Sequence, residues 1–212
     1  MSDRFSKNAW RKRLFKRAEL VKTIFSPGDY PPPMTAEFAF AGRSNVGKST
    51  LLNALLGVKL AHVSGTPGKT ASINFYKVDN RFFFVDLPGY GFARRSRTEL
   101  ERWRQLVEDY FVRRGGIATP VVLIDVRHSL QKADMMMLDY LRARELAFIT
   151  VLTKRDKLSG NQFSKMLSYH EKQARSLGAF GVFPVSAVSG RGIQELRKGL
   201  EMIARSYSAD KR

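Results

Sequence analysis

Short apolar runs alternate along this chain with longer stretches in which apolar residues return every three or four positions. The runs at 38–41, 73–78, 82–85, 120–124, 148–152 and 182–185 predict six strands. The helix-spaced stretches at 50–56, 98–112, 132–146, 162–177 and 193–203 predict five helices, the first ended by Gly57. Asp79-Asn80-Arg81 reads as a hairpin turn joining the second and third strands. Strands alternating with helices predict an α/β fold, a mostly parallel six-stranded sheet with one antiparallel pair and helices on both faces. In such folds ligands bind at the carboxyl ends of the strands. The segment 26–33 is too proline-rich for helix or central strand and is expected to run along the surface. Residues 58–72 have no firm period, and loops of that length are often functional.

The chemistry lies in the segments just after the predicted strands. The first strand leads into Gly42-Arg43-Ser44-Asn45-Val46-Gly47-Lys48-Ser49, which fits G-x-x-x-x-G-K-[ST] and opens the first helix. Its backbone amides and the helix dipole suit a polyphosphate, Lys48 the β and γ phosphates, and Ser49 a Mg²⁺ ion. After the third strand comes Asp86-Leu87-Pro88-Gly89, which offers a carboxylate for Mg²⁺ through a water and the Gly89 amide for the γ-phosphate. After the fifth comes Thr153-Lys154-Arg155-Asp156, whose last carboxylate can accept from N1 and N2 of guanine while the Lys154 stem covers the base. Adenine lacks that donor pair. After the sixth, Val185-Ser186-Ala187 is a small-residue turn whose amides suit the guanine O6.

Together with Thr66-Pro67-Gly68-Lys69-Thr70, Ile73-Asn74-Phe75-Tyr76, Asp86 to Ala93 and Asp125-Val126-Arg127-His128, these motifs resemble Ras-like P-loop G domains of the translation-factor-related class. Within that class the chain resembles the EngB family (also called YsxC or YihA), small bacterial GTPases, over residues 22–205. The resemblance implies slow, Mg²⁺-dependent GTP hydrolysis, a role in large ribosomal subunit assembly, and a requirement in cell division and septation. It implies Lys48, Thr70 and Gly89 as the groups acting on the γ-phosphate, and Ser49, Thr70 and Asp86 around the metal. Residues 58–72 would form the first nucleotide-sensing switch, ordered by GTP and released after hydrolysis, with Gly68, Lys69, Thr70, Ala71 and Ser72 as its nucleotide-binding residues. The second would be residues 87–97. The general GTPase pattern has Asn where Thr153 stands, and the EngB family is similar in carrying Thr.

Tyr90 occupies the place where Ras-like enzymes carry the Gln that orients water, which predicts a low intrinsic rate. Asn45 has two readings: it holds a potassium ion that supplies charge, or it bonds only the loop backbone. Two other functions stay open. A P-loop kinase or ATPase is argued against by Asp156, whereas a GTP-binding adaptor that recruits division proteins is compatible with Tyr90.

Charge adds a partner. With 37 basic against 19 acidic residues, the net charge of +18 exceeds anything one nucleotide requires and implies a polyanion such as ribosomal RNA. Arg4, Lys7, Arg11, Lys12, Arg13, Lys16 and Arg17 make a basic arm interleaved with Phe5, Trp10 and Phe15 for stacking or partner packing. Arg94, Arg95 and Arg97 place a second cluster in the second switch. The domain reading is therefore a basic arm and proline-rich segment at 1–33, one G domain at 34–206 and a basic tail at 207–212.

No cysteine is present, which excludes a disulfide framework. His62, His128 and His170 lie far apart without companions at ligand spacing, which argues against zinc. Asp125 and His128 read as loop-bracing residues, and Met135-Met136-Met137 as core filler. No apolar run reaches the roughly 18 residues of a membrane span. A monomeric cytoplasmic protein with no membrane partner is expected.

Overall fold

Strand β2 (Ala36–Gly42) is buried at every position, the signature of a central strand covered on both faces. It is one of seven in a single sheet with β1 (Ala18–Ile24), β3 (Ile73–Val78), β4 (Phe82–Asp86), β5 (Ala118–Asp125), β6 (Phe148–Thr153) and β7 (Ala179–Pro184). The spatial order is β1-β3-β4-β2-β5-β6-β7. The computed structural model describes residues 15–61, 71–91 and 96–209. Among these described residues five helices accompany the sheet: α1 (Lys48–Leu56), α2 (Arg97–Arg114), α3 (Lys132–Ala143), α4 (Gly160–Ser176) and α5 (Ile193–Ala209).

Alternate residues of the central strands feed two separate cores. Phe38 and Phe40 of β2 and Phe82 and Phe84 of β4 face α1 and α5, meeting Leu51, Leu52, Leu55, Leu196 and Leu200. Ala39, Ala41, Phe83 and Val85 face the other way, onto Leu106 and Tyr110 of α2, Leu138 and Leu141 of α3 and Ala174 of α4. The four phenylalanines of the first core meet mostly edge to face, as at Phe38 and Phe82 with centroids 5.4 Å apart.

The β3–β4 hairpin turns through Asp79 (φ 49°) and Asn80 (φ 53°), and the Arg81 amide donates to the Val78 carbonyl at 2.9 Å. Two successive positive φ angles mark the turn that matches strand twist, and Asp and Asn tolerate them. Helix α2 starts on a capping box: Ser96 accepts from the Glu99 amide, and the Glu99 carboxylate accepts from the Ser96 amide at 2.9 Å.

The six-stranded expectation is corrected to seven. Strand β1 pairs antiparallel with β3, with a register shift between Leu20 and Lys22, and extends the sheet at the edge. Phe15 is corrected too. Instead of standing out for stacking it is 2% exposed, set edge-on against Phe82 and Phe84 at 5.6 Å each. The proline-rich segment lies against α2. The Tyr30 hydroxyl donates to Asp109 at 2.9 Å, and Arg114 donates to the Pro31 carbonyl. Of the three methionines of α3, Met137 is in the core, whereas Met136 is 65% exposed.

Candidate functional site

All four motifs emerge at one end of the sheet, because β2, β4, β5, β6 and β7 run parallel. Gly42 closes β2 packed so tightly that an added Cβ would lie 2.8 Å from Val46 Cγ1 and 3.1 Å from Leu123 Cβ. The chain then turns through Asn45 (φ 64°) to Gly47 (φ 104°), which caps α1; an L side chain at Gly47 would be strained. Within this loop the Ser44 amide donates to the Tyr90 carbonyl at 3.0 Å and the Val46 amide to the Arg43 carbonyl at 3.1 Å. The amides of Asn45, Gly47, Lys48 and Ser49 stand at the positive end of α1, a position that suits an anion. Lys48 forms an ion pair with Asp86 at the end of β4, and both side chains are largely buried.

Two residues of the Thr153–Asp156 segment hold it to the loop, and a third contact ties it to Ser186. The Thr153 hydroxyl, 4% exposed, donates to the Val46 carbonyl at 2.7 Å, with the Ile124 carbonyl at 3.2 Å. Lys154 (φ 60°) donates from Nζ to the Asn45 carbonyl at 2.7 Å and meets Asp125 at 3.0 Å. Its stem therefore crosses the mouth of the site beside the loop. Asp156 sits in a short 3-10 turn, Arg155–Lys157, and accepts from the Ser186 hydroxyl at 2.6 Å. The Ser186 amide donates to the Arg191 carbonyl at 2.9 Å, so the Ala187 amide is the better candidate for the guanine O6.

Asp125 braces the site from below. Burial would raise its carboxyl, but Arg127, at 2.7 and 2.9 Å, and Lys154 outweigh burial and hold it well below the usual carboxylate range. The reading of Asp125 as a loop organiser matches this geometry. His128 lies on the rim of a polar cavity of about 210 Å³ shared with Arg43, Asn45, Gln131 and Lys154.

Tyr90 turns away from the phosphate end. Only 6% exposed, it packs edge-on to Trp103 and donates to Asp134 at 3.3 Å. Its amide donates to the Gly42 carbonyl at 3.2 Å, which locks the D-x-x-G turn to the phosphate loop. Burial, then the charge of Asp134, push the Tyr90 phenol well above its ordinary value. Sequence reasoning missed Asp134, the buried partner of Tyr90, because a single carboxylate in a helical first turn looks like a cap; it is indeed also one, accepting from the Gln131 amide at 3.1 Å. Leu87, Pro88 and Gly89 are in place above the loop, with the Pro88 carbonyl accepting from Trp103 Nε1 at 2.9 Å. Ala71 and Ser72 are half-buried at the entrance to β3. Gly68, Lys69 and Thr70, expected in the first switch, lie outside the described residues, as do His62, Arg94, Arg95 and the arm residues before Phe15.

Known proteins place this geometry. The family described as 50S ribosome-binding GTPase matches residues 37–154. The probable GTP-binding protein EngB of Kosmotoga olearia is 55% identical over 185 residues, covering 87% of this chain and 97% of its own. That of Thermotoga maritima is 48% identical over 183 residues, covering 86% and 94%. The crystal structure of a probable GTP-binding protein EngB superposes with a TM-score of 0.65 at 25% identity, over 81% of this chain and 100% of its own. The structure of Era with MgGDPNP and a piece of 16S ribosomal RNA gives 0.61 at 23% identity over 79% and 56%, a likeness of fold. With the phosphate loop, the D-x-x-G turn and the Thr153–Asp156 segment gathered at one sheet end, this chain belongs to the EngB family of P-loop GTPases.

Proposed function

We propose that this protein binds GTP and GDP and hydrolyses GTP slowly, as a nucleotide-gated cytoplasmic factor in large ribosomal subunit assembly on which normal division and septation depend. One observation carries the nucleotide reading: Asp156 is held by the Ser186 hydroxyl at 2.6 Å while Lys154 reaches the Asn45 carbonyl at 2.7 Å. In this reading the Asp156 carboxylate reads guanine, and Lys154, in the same segment, ties it to the phosphate loop. The ribosomal reading is supported by the description of the matched family and by the net charge of +18.

The donors available for a metal are hard oxygens, the Ser49 hydroxyl and the Asp86 carboxylate, with Thr70 as the switch contribution; this set suits Mg²⁺. Bound there, Mg²⁺ would neutralise charge on the phosphates. Lys48 exchanges its Asp86 partner for the β and γ phosphates, and the Gly89 amide senses the γ-phosphate. With the Tyr90 side chain turned into the core, orientation of the attacking water or compensating positive charge falls to something outside this set. Potassium held at Asn45 is one supply, and a ribosomal partner is another. Potassium substituted for sodium should raise the hydrolysis rate; an unchanged rate excludes the ion.

Sedimentation with purified ribosomal subunits, with GDP or a nonhydrolysable GTP analogue bound, tests the function. Binding to the large subunit in the GTP form, weakening steeply with salt, is expected. Equal binding in both states or none overturns the gated assembly role. The buried position of Tyr90 favours a second reading, a GTP-binding adaptor for division proteins, which predicts no rate gain on ribosomal particles.

A further inference from the structure

A second and larger cavity among the described residues lies far from the nucleotide site. About 790 Å³ in volume, it opens where β2, β4 and β5 begin, so the length of the sheet separates it from the phosphate loop. Seven residues of β2 at roughly 3.3 Å each put about 20 Å between the two. Its lining, among the described residues, carries Arg81, Arg113 and Arg114, hydrogen-bonding groups from Thr35, Asn80 and Ser208, and no carboxylate. Arg114 is buried against Glu37 at 3.1 Å and Arg113 meets Asp109 at 3.0 Å from a solvent-exposed side chain, so Arg81 and Arg113 are the lining guanidiniums open to an anion.

Basic side chains at helix ends are ordinary, because they complement the dipole, and that covers Arg113 and Arg114. It does not cover Arg81, exposed in a hairpin turn with its guanidinium 5.9 Å from the Phe82 ring centroid. Both ends of the described chain arrive here, Phe15 against Phe82 and α5 beside the cavity through Ala204 and Ser208. In the sequence Arg11-Lys12-Arg13 precedes the first of these ends and Asp210-Lys211-Arg212 follows the second.

Guanidinium groups with hydroxyl and amide donors around a concave floor are the chemistry that holds phosphodiester backbones in place without reading bases. We propose that this cavity seats RNA backbone phosphates, as an anchor at the pole opposite the nucleotide. It rests on the ribosomal reading above and deepens it by separating two contacts. The switch end is gated by GTP; the anchor is not, since none of its described lining residues belongs to the switch segments.

The test uses the full chain with Arg81→Glu and Arg113→Glu combined, and separately Ser208→Asp, which adds charge without removing an arginine. Fluorescent GDP binding should equal wild type in all variants, which checks the fold. Large subunits and protein-free large-subunit ribosomal RNA are the probes, each in GDP and GTP-analogue states across a salt series. We expect both variants to lose tenfold or more in RNA affinity, equally in the two nucleotide states, with the salt slope of the double variant reduced by roughly 1 to 2. Unchanged affinity and slope overturn the anchor even where subunits bind. Loss confined to the GTP state overturns it also, since the pole would then belong to the switch. RNA binding through the pole without any large-subunit binding sinks the ribosomal reading and leaves the anchor standing. Charge-dependent binding of anionic lipid vesicles with no RNA binding reassigns the pole to a membrane surface and refutes the proposal.

Discussion

The Thr153 hydroxyl donates to the carbonyl of Val46 at 2.7 Å, so the Thr153–Asp156 segment and the phosphate loop share a buried hydrogen bond. The position where general GTPases carry Asn thus braces the loop here through a shorter side chain. Thr153→Val keeps shape but leaves the Val46 carbonyl unpaired in the interior, a loss of about 1 to 3 kcal/mol. Urea unfolding should show that loss, GDP affinity should fall with it, and Thr153→Ser should recover most of both. A valine variant indistinguishable from wild type would show that the brace is unimportant.

In the proposed function base choice rests on Asp156, whose carboxylate is oriented by the Ser186 hydroxyl. Asp156→Asn presents an amide where guanine needs an acceptor, so GTP should weaken and xanthine nucleotides should bind. Ser186→Ala removes a 2.6 Å hydrogen bond to the carboxylate, a loss of about 1.5 to 3 kcal/mol, or roughly tenfold or more in GTP affinity. Competition titrations with GTP, XTP and ATP separate the two effects: preference changes at 156, affinity alone at 186. ATP preference in either protein would revive the kinase reading.

These two relationships show what a linear pattern carries and what it does not. The four motifs are legible because each chemistry needs its residue types at fixed spacing beside a strand end. Thr153 can be placed by its spacing but not assigned its partner, since Val46 is 107 residues away in sequence. Strand β1 escapes the pattern because its apolar positions do not alternate: the irregularity between Leu20 and Lys22 breaks the period of two, and Leu20 and Val21 are exposed at the sheet edge. Pro120 lies in a strand as its apolar run predicts, despite its missing donor. It stands in β5 one residue before the ladder to β6 begins at Val121, where only β2 is paired. The core role of Phe15 is hidden in the sequence by the basic residues around it.

A buried ion pair supports the far side of the sheet. Glu37, fully buried, meets Arg114 at 3.1 Å and accepts from the Tyr110 hydroxyl at 2.9 Å. Burial raises the Glu37 carboxyl, and Arg114, then Tyr110, oppose that rise. Arg114→Met strands the carboxylate, a loss of about 3 to 5 kcal/mol for breaking one side of a buried pair. The carboxyl of that variant rises further, so its stability is retained at low pH and lost as pH climbs through the raised value. Denaturation at pH 5 and pH 8 should therefore find a larger deficit at pH 8. Adding Glu37→Gln should recover part of it; an additive double variant would mean the pair is not coupled.

Acid should strike elsewhere first, at His170. This α4 side chain is 1% exposed and lies beneath the backbone of Val126 and His128, in the loop that carries Asp125. Burial lowers its ionisation, and the backbone of His128 and Val126 and the charge of Asp125 only partly offset that. The unfolded chain therefore binds the proton more readily than the fold does. Stability is full above the ordinary histidine value of about 6.5 and falls as pH drops below it toward the lowered folded value. Asp125 cannot produce that loss, because its carboxyl is held well below the usual range and its ion pairs to Arg127 and Lys154 survive to far lower pH. Unfolding of wild type and His170→Leu from pH 8 to pH 5 should show a decline in wild type that the variant lacks. GDP affinity should follow the same curve, since His170 supports the loop on which Lys154 is anchored through Asp125. Parallel declines in both proteins would move the titration to another group.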